Sequence, residues 1–393
     1  LSAPGLNRAA LATILGAAVA VSLNAGKVPA ALPALRTEFG FDLVRASLLL
    51  SFFQIAGMAL GLFGGMLADR FGARRAMRAG LLVAAGGSAL GAVATDGATL
   101  LASRAIESVG FIVAVLPGPA LLARGVPEAR RRAVMGAWSA YMPTGMTLAL
   151  VLTPLVAGVA GWRVAWAAIA LACAALAWAL GRVVAPDPPV ALAHGAWGLM
   201  RDTLRAPRPW LLAAAFGCYA GQWMGVFGFL PTLYAEAGVP LAVAGALTAA
   251  GVAINVTGNL ASGVLMQRGV PAWALIAAAS TAMAVGAWLC FGSGAPFAVR
   301  YAGVLLFSAL GGLIPGALFA TTAAYAPHPR AIGTTTGLMQ QGSTLGQFLA
   351  PPAIAAVATA AGGWHLTAWV TGMMAAGTAA VAVAMGRIER RGR

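Results

Sequence analysis

Three charged residues, Lys27, Arg104 and Glu107, stand deep inside long apolar stretches of the chain. A charge at membrane depth costs about 3 kcal/mol or more unless it is paired or faces water, so such residues are functional candidates by default. Lys27 is the only lysine among 25 basic residues, and Glu107 is the only carboxylate well inside an apolar run. Two cations against one carboxylate leave a positive charge in excess, which a dry site tolerates only with water or an anionic ligand. The chemistry this suggests is capture of a small anion by Lys27 and Arg104. Glu107 then serves as a proton carrier whose occupancy depends on whether the cations are engaged. Asn24, one turn before Lys27, and Tyr219, Gln222 and Gln341 offer neutral hydrogen-bonding groups to the same candidate site. Plainer readings stand beside it. Glu107 can form a permanent ion pair with Arg104 or Lys27 that ties helices together, the two cations can reach outward to the interface, and the amides can serve interhelical hydrogen bonds.

The elements that must position these groups are membrane helices. Of 393 residues, 9% are charged and 60% are hydrophobic, whereas a soluble globule of this length carries roughly a quarter charged residues. That composition excludes a soluble enzyme, a nucleic-acid binder and a disordered chain. Runs of about 20 apolar residues predict twelve spans, at 11–35, 43–67, 76–95, 99–123, 133–157, 163–184, 210–235, 241–266, 271–292, 297–322, 331–357 and 365–386. The net charge of +15 follows their topology. Arg8, Arg70/Arg74/Arg75/Arg78, Arg124/Arg130/Arg131/Arg132, Arg182/Arg201/Arg205/Arg208, Arg268, Arg330 and Arg387/Arg390/Arg391/Arg393 fall on one side, against Arg36, Arg45, Arg163 and Arg300 on the other. Both termini are therefore expected in the cytoplasm, with the chain multi-pass in an inner or plasma membrane and acting as a monomer. Cys173, Cys218 and Cys290 lie in apolar stretches and His194, His328 and His365 form no cluster, so no disulfide, metal site or cofactor is expected. The one Gly-Lys pair, Gly26-Lys27, runs into Val28 inside a span and is no Walker loop.

The chain repeats itself at a shift of 198 residues. Leu32-Pro33-Ala34-Leu35 returns as Leu230-Pro231-Thr232-Leu233, Glu38 as Glu236, Arg70 as Arg268, Pro117-Gly118 as Pro315-Gly316, Arg132-Ala133 as Arg330-Ala331, and Pro154 as Pro352. With six spans in each copy, the halves run in the same direction. The longest polar stretch divides them into a six-helix bundle at 1–185, a cytoplasmic loop at 186–208 and a second six-helix bundle at 209–393.

Between spans 2 and 3 stands Gly65-Met66-Leu67-Ala68-Asp69-Arg70-Phe71-Gly72-Ala73-Arg74-Arg75. Here the chain resembles the major facilitator superfamily, whose signature in this loop is a glycine, an acidic residue, a basic residue, a second glycine and a basic pair. Arg104-Ala105-Ile106-Glu107-Ser108-Val109-Gly110 is similar to the helix 4 signature of that family. The resemblance covers the whole chain. It implies an all-α fold of twelve transmembrane helices in two parallel-repeat bundles, and a secondary active transporter working by alternating access. It also implies a gating role for Gly65, Asp69, Arg70, Gly72, Arg74 and Arg75, in which Asp69 pairs with basic groups across helix ends. The helix 5 antiporter signature ends in Gly-Pro, but Ala149-Leu150 stands at that place and the proline is Pro154. This departure favours uptake over drug efflux. Around Tyr219 to Gly238, and again at Gly161-Trp162-Arg163, the chain resembles the cyanate and nitroimidazole permease branch, and proton-coupled uptake of a small anion is expected. Proton-coupled efflux of a drug or metabolite, or an uncoupled facilitator, is the alternative.

Overall fold

The computed structural model describes residues 8–41, 43–187, 196–230, 233–234 and 237–391, and among these it leaves side chains undescribed at 32–33, 36, 43–48, 50–51, 65–70, 196, 241–242, 352 and 391. Every regular element among the described residues is helical. In the first half these are α1 (Arg8–Phe39), α2 (Leu43–Phe71), α3 (Ala73–Ala92), α4 (Gly97–Val115), α5 (Gly118–Gly125), α6 (Glu128–Ser139), α7 (Tyr141–Ala160) and α8 (Trp162–Val183). After α9 (Ala196–Arg205) come α10 (Pro207–Phe227), α11 (Leu241–Gln267), α12 (Ala272–Ala287), α13 (Phe297–Gly311), α14 (Leu313–Tyr325), α15 (Ile332–Ala360) and α16 (Thr367–Arg391).

These helices fall on the twelve expected spans, with spans 4, 5 and 10 each divided in two. Among the described residues, eight stretches are long and apolar enough by themselves to cross a membrane. The divisions follow from the sequence. Pro117 has no N–H to continue α4, and the chain turns there before α5. Its repeat equivalent Pro315 has no N–H for the Gly311 carbonyl, and α13 ends at Gly311. Asp96 starts α4, its Oδ1 accepting from the Thr99 N–H at 2.8 Å and its Oδ2 from the Thr99 hydroxyl at 2.7 Å. The central stretch, expected to be loop, contains α9.

The helices group into two compact units, one of 1–127, 141–206 and 325–341, the other of 128–140, 207–324 and 342–393. In the first, α3 packs on α4 and α8, α1 on α7 and α8, and α2 on α4. In the second, α12 packs on α13 and α16, α10 on α16, and α11 on α6 and α13. Glycine lets helices approach closely within each unit. A Cβ on Gly61 would lie 2.9 Å from the Gly337 carbonyl oxygen, and one on Gly221 the same distance from that of Gly346.

Candidate functional site

Five helices of the first unit build the site. α1 presents Asn24 and Lys27 one turn apart, α4 presents Arg104 and Glu107 one turn apart, and α3 contributes Ser88, α8 Trp166 and α2 the Leu49 carbonyl. Glycine permits the close approach of α3 to α4, since a Cβ on Gly87 would lie 2.8 Å from the Glu107 nitrogen. On one side Val28, Leu35, Leu49, Leu100, Trp162 and Trp166 form a fully buried apolar cluster, which keeps water from the charges.

Lys27 and Glu107 are completely buried and Arg104 is 1% exposed. The Lys27 ammonium donates to Glu107 Oε1 at 2.6 Å, Asn24 Oδ1 at 2.6 Å and Ser88 Oγ at 2.7 Å, and it lies 4.7 Å from the centre of the Trp166 ring. Its three N–H donors thus meet three acceptors. Arg104 Nη1 donates to Glu107 Oε2, and Nε donates to the Leu49 carbonyl at 3.2 Å. The guanidinium stands 4.8 Å from the centre of the Phe53 ring. Glu107 is therefore shared, one oxygen to each cation, and the positive excess is spread over neutral acceptors and two aromatic faces. Of the two cations, Arg104 retains the spare capacity: a guanidinium has five N–H donors, and two contacts are accounted for. Neither side chain reaches outward to the interface.

Four of the expected site residues, Asn24, Lys27, Arg104 and Glu107, thus stand in one cluster. Gln341, in the same unit, is committed elsewhere, its amide donating to the Met58 carbonyl at 2.7 Å. Tyr219 and Gln222 belong to the second unit. The Tyr219 hydroxyl accepts from Asn255 Nδ2 at 3.4 Å, Asn255 also donates to the Ser308 carbonyl at 2.8 Å, and Asn259 Nδ2 donates to Asn255 Oδ1 at 2.8 Å. Gln222 is 1% exposed, and both of its amide atoms lack a partner among the described residues. A buried amide left without a partner costs about 1–3 kcal/mol.

Of the expected gating residues, the side chains of Gly65, Asp69 and Arg70 lie outside those described. Gly72, Arg74 and Arg75 converge on a residue that sequence reasoning passed over, Asp187. Its Oδ1 accepts from the Arg74 backbone N–H at 3.0 Å, its Oδ2 accepts from that of Arg75 at 3.1 Å, and Arg124 Nη1 lies 3.4 Å from Oδ1. An acid at the N-terminus of α3 satisfies open backbone donors and meets the positive end of the helix dipole. Gly72 has φ 97°, a conformation that favours glycine, and a Cβ there would collide with the Asp187 carboxylate. The Arg74 guanidinium donates to the Gly181 carbonyl, and Arg78 Nε to that of Ala177 at 3.1 Å. At the far end of α1, Glu38 pairs with Arg163 at 2.6 Å and accepts from Trp162 Nε1 at 2.7 Å, and these partners hold its carboxyl below the usual glutamate value.

Comparison with known proteins agrees with this architecture. The model of a family described as Major Facilitator Superfamily matches residues 14–351. The cyanate transport protein CynX of Escherichia coli (strain K12) is 29% identical over 238 residues, which cover 60% of this chain and 60% of that protein. The puromycin resistance protein pur8 of Streptomyces alboniger is 31% identical over 156 residues, 39% of this chain and 31% of that protein. The chain thus aligns with less than two thirds of the length of either relative. Among solved structures, the outward conformation of the major facilitator transporter FucP matches with a TM-score of 0.77 at 14% identity, covering 94% of this chain and 97% of that one.

Proposed function

The chain belongs to the Major Facilitator Superfamily, and from that premise we propose that this multi-pass transporter carries a small anion into the cell together with a proton. The observation that carries the reading is the sharing of Glu107 between Lys27 and Arg104 in a buried site. While Glu107 is ionised, its two oxygens occupy a donor from each cation, and an arriving anion must compete with them. Protonation of Glu107 withdraws that competitor, so proton and anion load together. Charge supports the same order. The site holds two cations and one carboxylate when empty, and two cations, one anion and a neutral acid when loaded, so the net buried charge is unchanged. Arg104, with donors to spare, makes the first contact. Lys27 joins it once its bond to Glu107 weakens.

In this scheme the two repeat halves, 1–185 and 209–393, alternate access to the site about the central stretch at 186–208, and Asp69, Arg70, Arg74 and Arg75 hold one side shut. Gln341 serves helix packing beside the site. Both termini are cytoplasmic in an inner or plasma membrane, and the chain acts as a monomer. Partial similarity to a cyanate transport protein makes cyanate the first anion to test. Similarity to an antibiotic resistance protein supplies the second reading, proton-driven export.

The test is uptake of labelled cyanate, formate and nitrate by proteoliposomes with and without a proton gradient, acid outside. The reading expects accumulation of at least one of them above the equilibrium level only with the gradient. Equal filling with and without it indicates a facilitator, and accumulation only when the gradient is reversed relative to protein orientation indicates export.

A further inference from the structure

We propose that α9, in the central stretch, is an interfacial helix that binds the headgroups of anionic phospholipids. α9 presents two distinct faces. Leu199 and Thr203, one turn apart, are buried, and the helix packs on α2. On the other side Trp197, Arg201, Leu204 and Arg205 follow at helical spacing, with Trp197 65% exposed, the Arg201 side chain 65% exposed, and Leu204 and Arg205 exposed as well.

Its depth is set by its neighbours. The Trp197 ring meets Phe63 of α2 edge-on, with centroids 6.3 Å apart, and Phe63 is itself exposed. Phe63 lies eight residues, roughly 12 Å of helical rise, inside the end of α2 at Phe71. α9 therefore lies along the last turns of a membrane-spanning helix, the level of the headgroups. Only Ala206 separates its end from the start of α10, so it cannot move far from that level.

The face has the chemistry of that level. An indole with one apolar and one polar edge settles at the interface, and arginine alongside it meets phosphate. Asp202 is the one acid on α9; it pairs with Arg201 at 3.8 Å and is half exposed, one carboxylate against two arginines, and Arg208 follows closely in the sequence. A polybasic, aromatic helix face at this depth is matched by a leaflet rich in anionic lipid. The proposal does not depend on which solute the protein carries or on Lys27.

The test is native mass spectrometry of the purified chain in detergent, titrated with dioleoyl phosphatidylglycerol or with dioleoyl phosphatidylcholine. The wild type should retain phosphatidylglycerol in preference. The paired substitution Arg201→Gln with Arg205→Gln should weaken that retention about tenfold and leave phosphatidylcholine unaffected, whereas Arg201→Lys with Arg205→Lys should keep most of it. An unchanged melting temperature in both pairs shows that the fold is intact; if the glutamine pair does not fold, Trp197→Ala replaces it and should reduce retention of both lipids. No preference in the wild type, or full preference in the glutamine pair, overturns the proposal. So does displacement of the lipid by millimolar inorganic phosphate, which would make this a site for a soluble anion.

Discussion

The two units solve the same problem, polar groups inside a membrane protein, in opposite ways. The first buries full charges, with Lys27, Arg104 and Glu107 locked to one another and to Asn24, Ser88 and the Leu49 carbonyl. The second buries neutral groups, Tyr219, Gln222, Asn255 and Asn259, in a loose set with an unpartnered amide. The sequence repeat shows where they parted. At the 198-residue shift, Gly225 stands for Lys27, Ala302 for Arg104, Leu305 for Glu107 and Gly286 for Ser88, while Gln222 stands for Asn24 and Asn255 for Gly57. The prolines that divide helices were kept in both copies, and the charges in one. A repeated frame thus carries one charged half and one neutral half.

The comparison is broken most forcefully by Glu107→Ala. It leaves two buried cations without their carboxylate, and the loss expected in unfolding free energy is about 3–5 kcal/mol. Asn255→Ala in the second unit should cost about 1–2 kcal/mol, from about 0.6 kcal/mol for each of its three side-chain hydrogen bonds. Denaturation of both variants in mixed micelles compares them directly, and equal losses would remove the distinction between the units.

Next in size are the effects on affinity. Lys27→Ala should raise the half-saturating anion concentration tenfold or more, about 1.4 kcal/mol, and Lys27→Arg should retain part of the binding. Arg104→Gln should do at least as much, because the spare donors lie there. Wild-type affinity in Lys27→Ala, or preference for a cationic substrate, would contradict an anion site.

Gln222→Leu sharpens the comparison from the other side. Removing an unpartnered buried amide should leave stability unchanged or raise it by about 1 kcal/mol in the same denaturation measurement. A loss of stability would show that Gln222 is a packing residue.

The smallest effect concerns the end of α1. The Glu38 carboxyl is held below its ordinary value of 4.5, first by the bond from Arg163 and next by that from Trp162. A lowered carboxyl stabilises the fold fully above that ordinary value, and the contribution is lost as pH falls through the folded one. Because Glu38 and Arg163 are each 39% exposed, the contribution is small. Arg163→Ala should therefore lower the melting temperature slightly more at pH 7 than in strongly acid solution, where only its bond to the Ala94 carbonyl and its contact with the Trp162 ring are left to lose.

Much of this was legible in the sequence because membranes make punctuation costly. Charges, prolines and glycine clusters mark where helices stop, and an ionised group in an apolar run announces itself, so Lys27, Arg104 and Glu107 stood out and the structure brings them together. What stayed hidden depends on distant partners. Asp187 sits in a proline-rich polar stretch, where an acid reads as solvated, and the backbone donors it meets lie 113 and 112 residues away. Ser88 is one small polar residue in a helix of alanine and glycine, and its bond to Lys27 spans 61 residues. A carbonyl such as that of Leu49 has no signature at all. α9 did carry a signal, in Trp197, Leu199, Leu204 and the arginines at helical spacing, but the surrounding prolines and charges masked it.

In the proposed scheme an arriving anion displaces the Glu107 carboxylate from Lys27 and Arg104, so that Glu107 takes up a proton as the anion binds. The direct measurement is proton uptake on anion binding, read with a pH indicator in weakly buffered detergent solution as the saturating anion is added to purified protein. The account predicts uptake of about one proton per anion bound in the wild type, and binding without proton uptake in Glu107→Gln. Anion binding without proton uptake in the wild type, or the same uptake in both proteins, would contradict it.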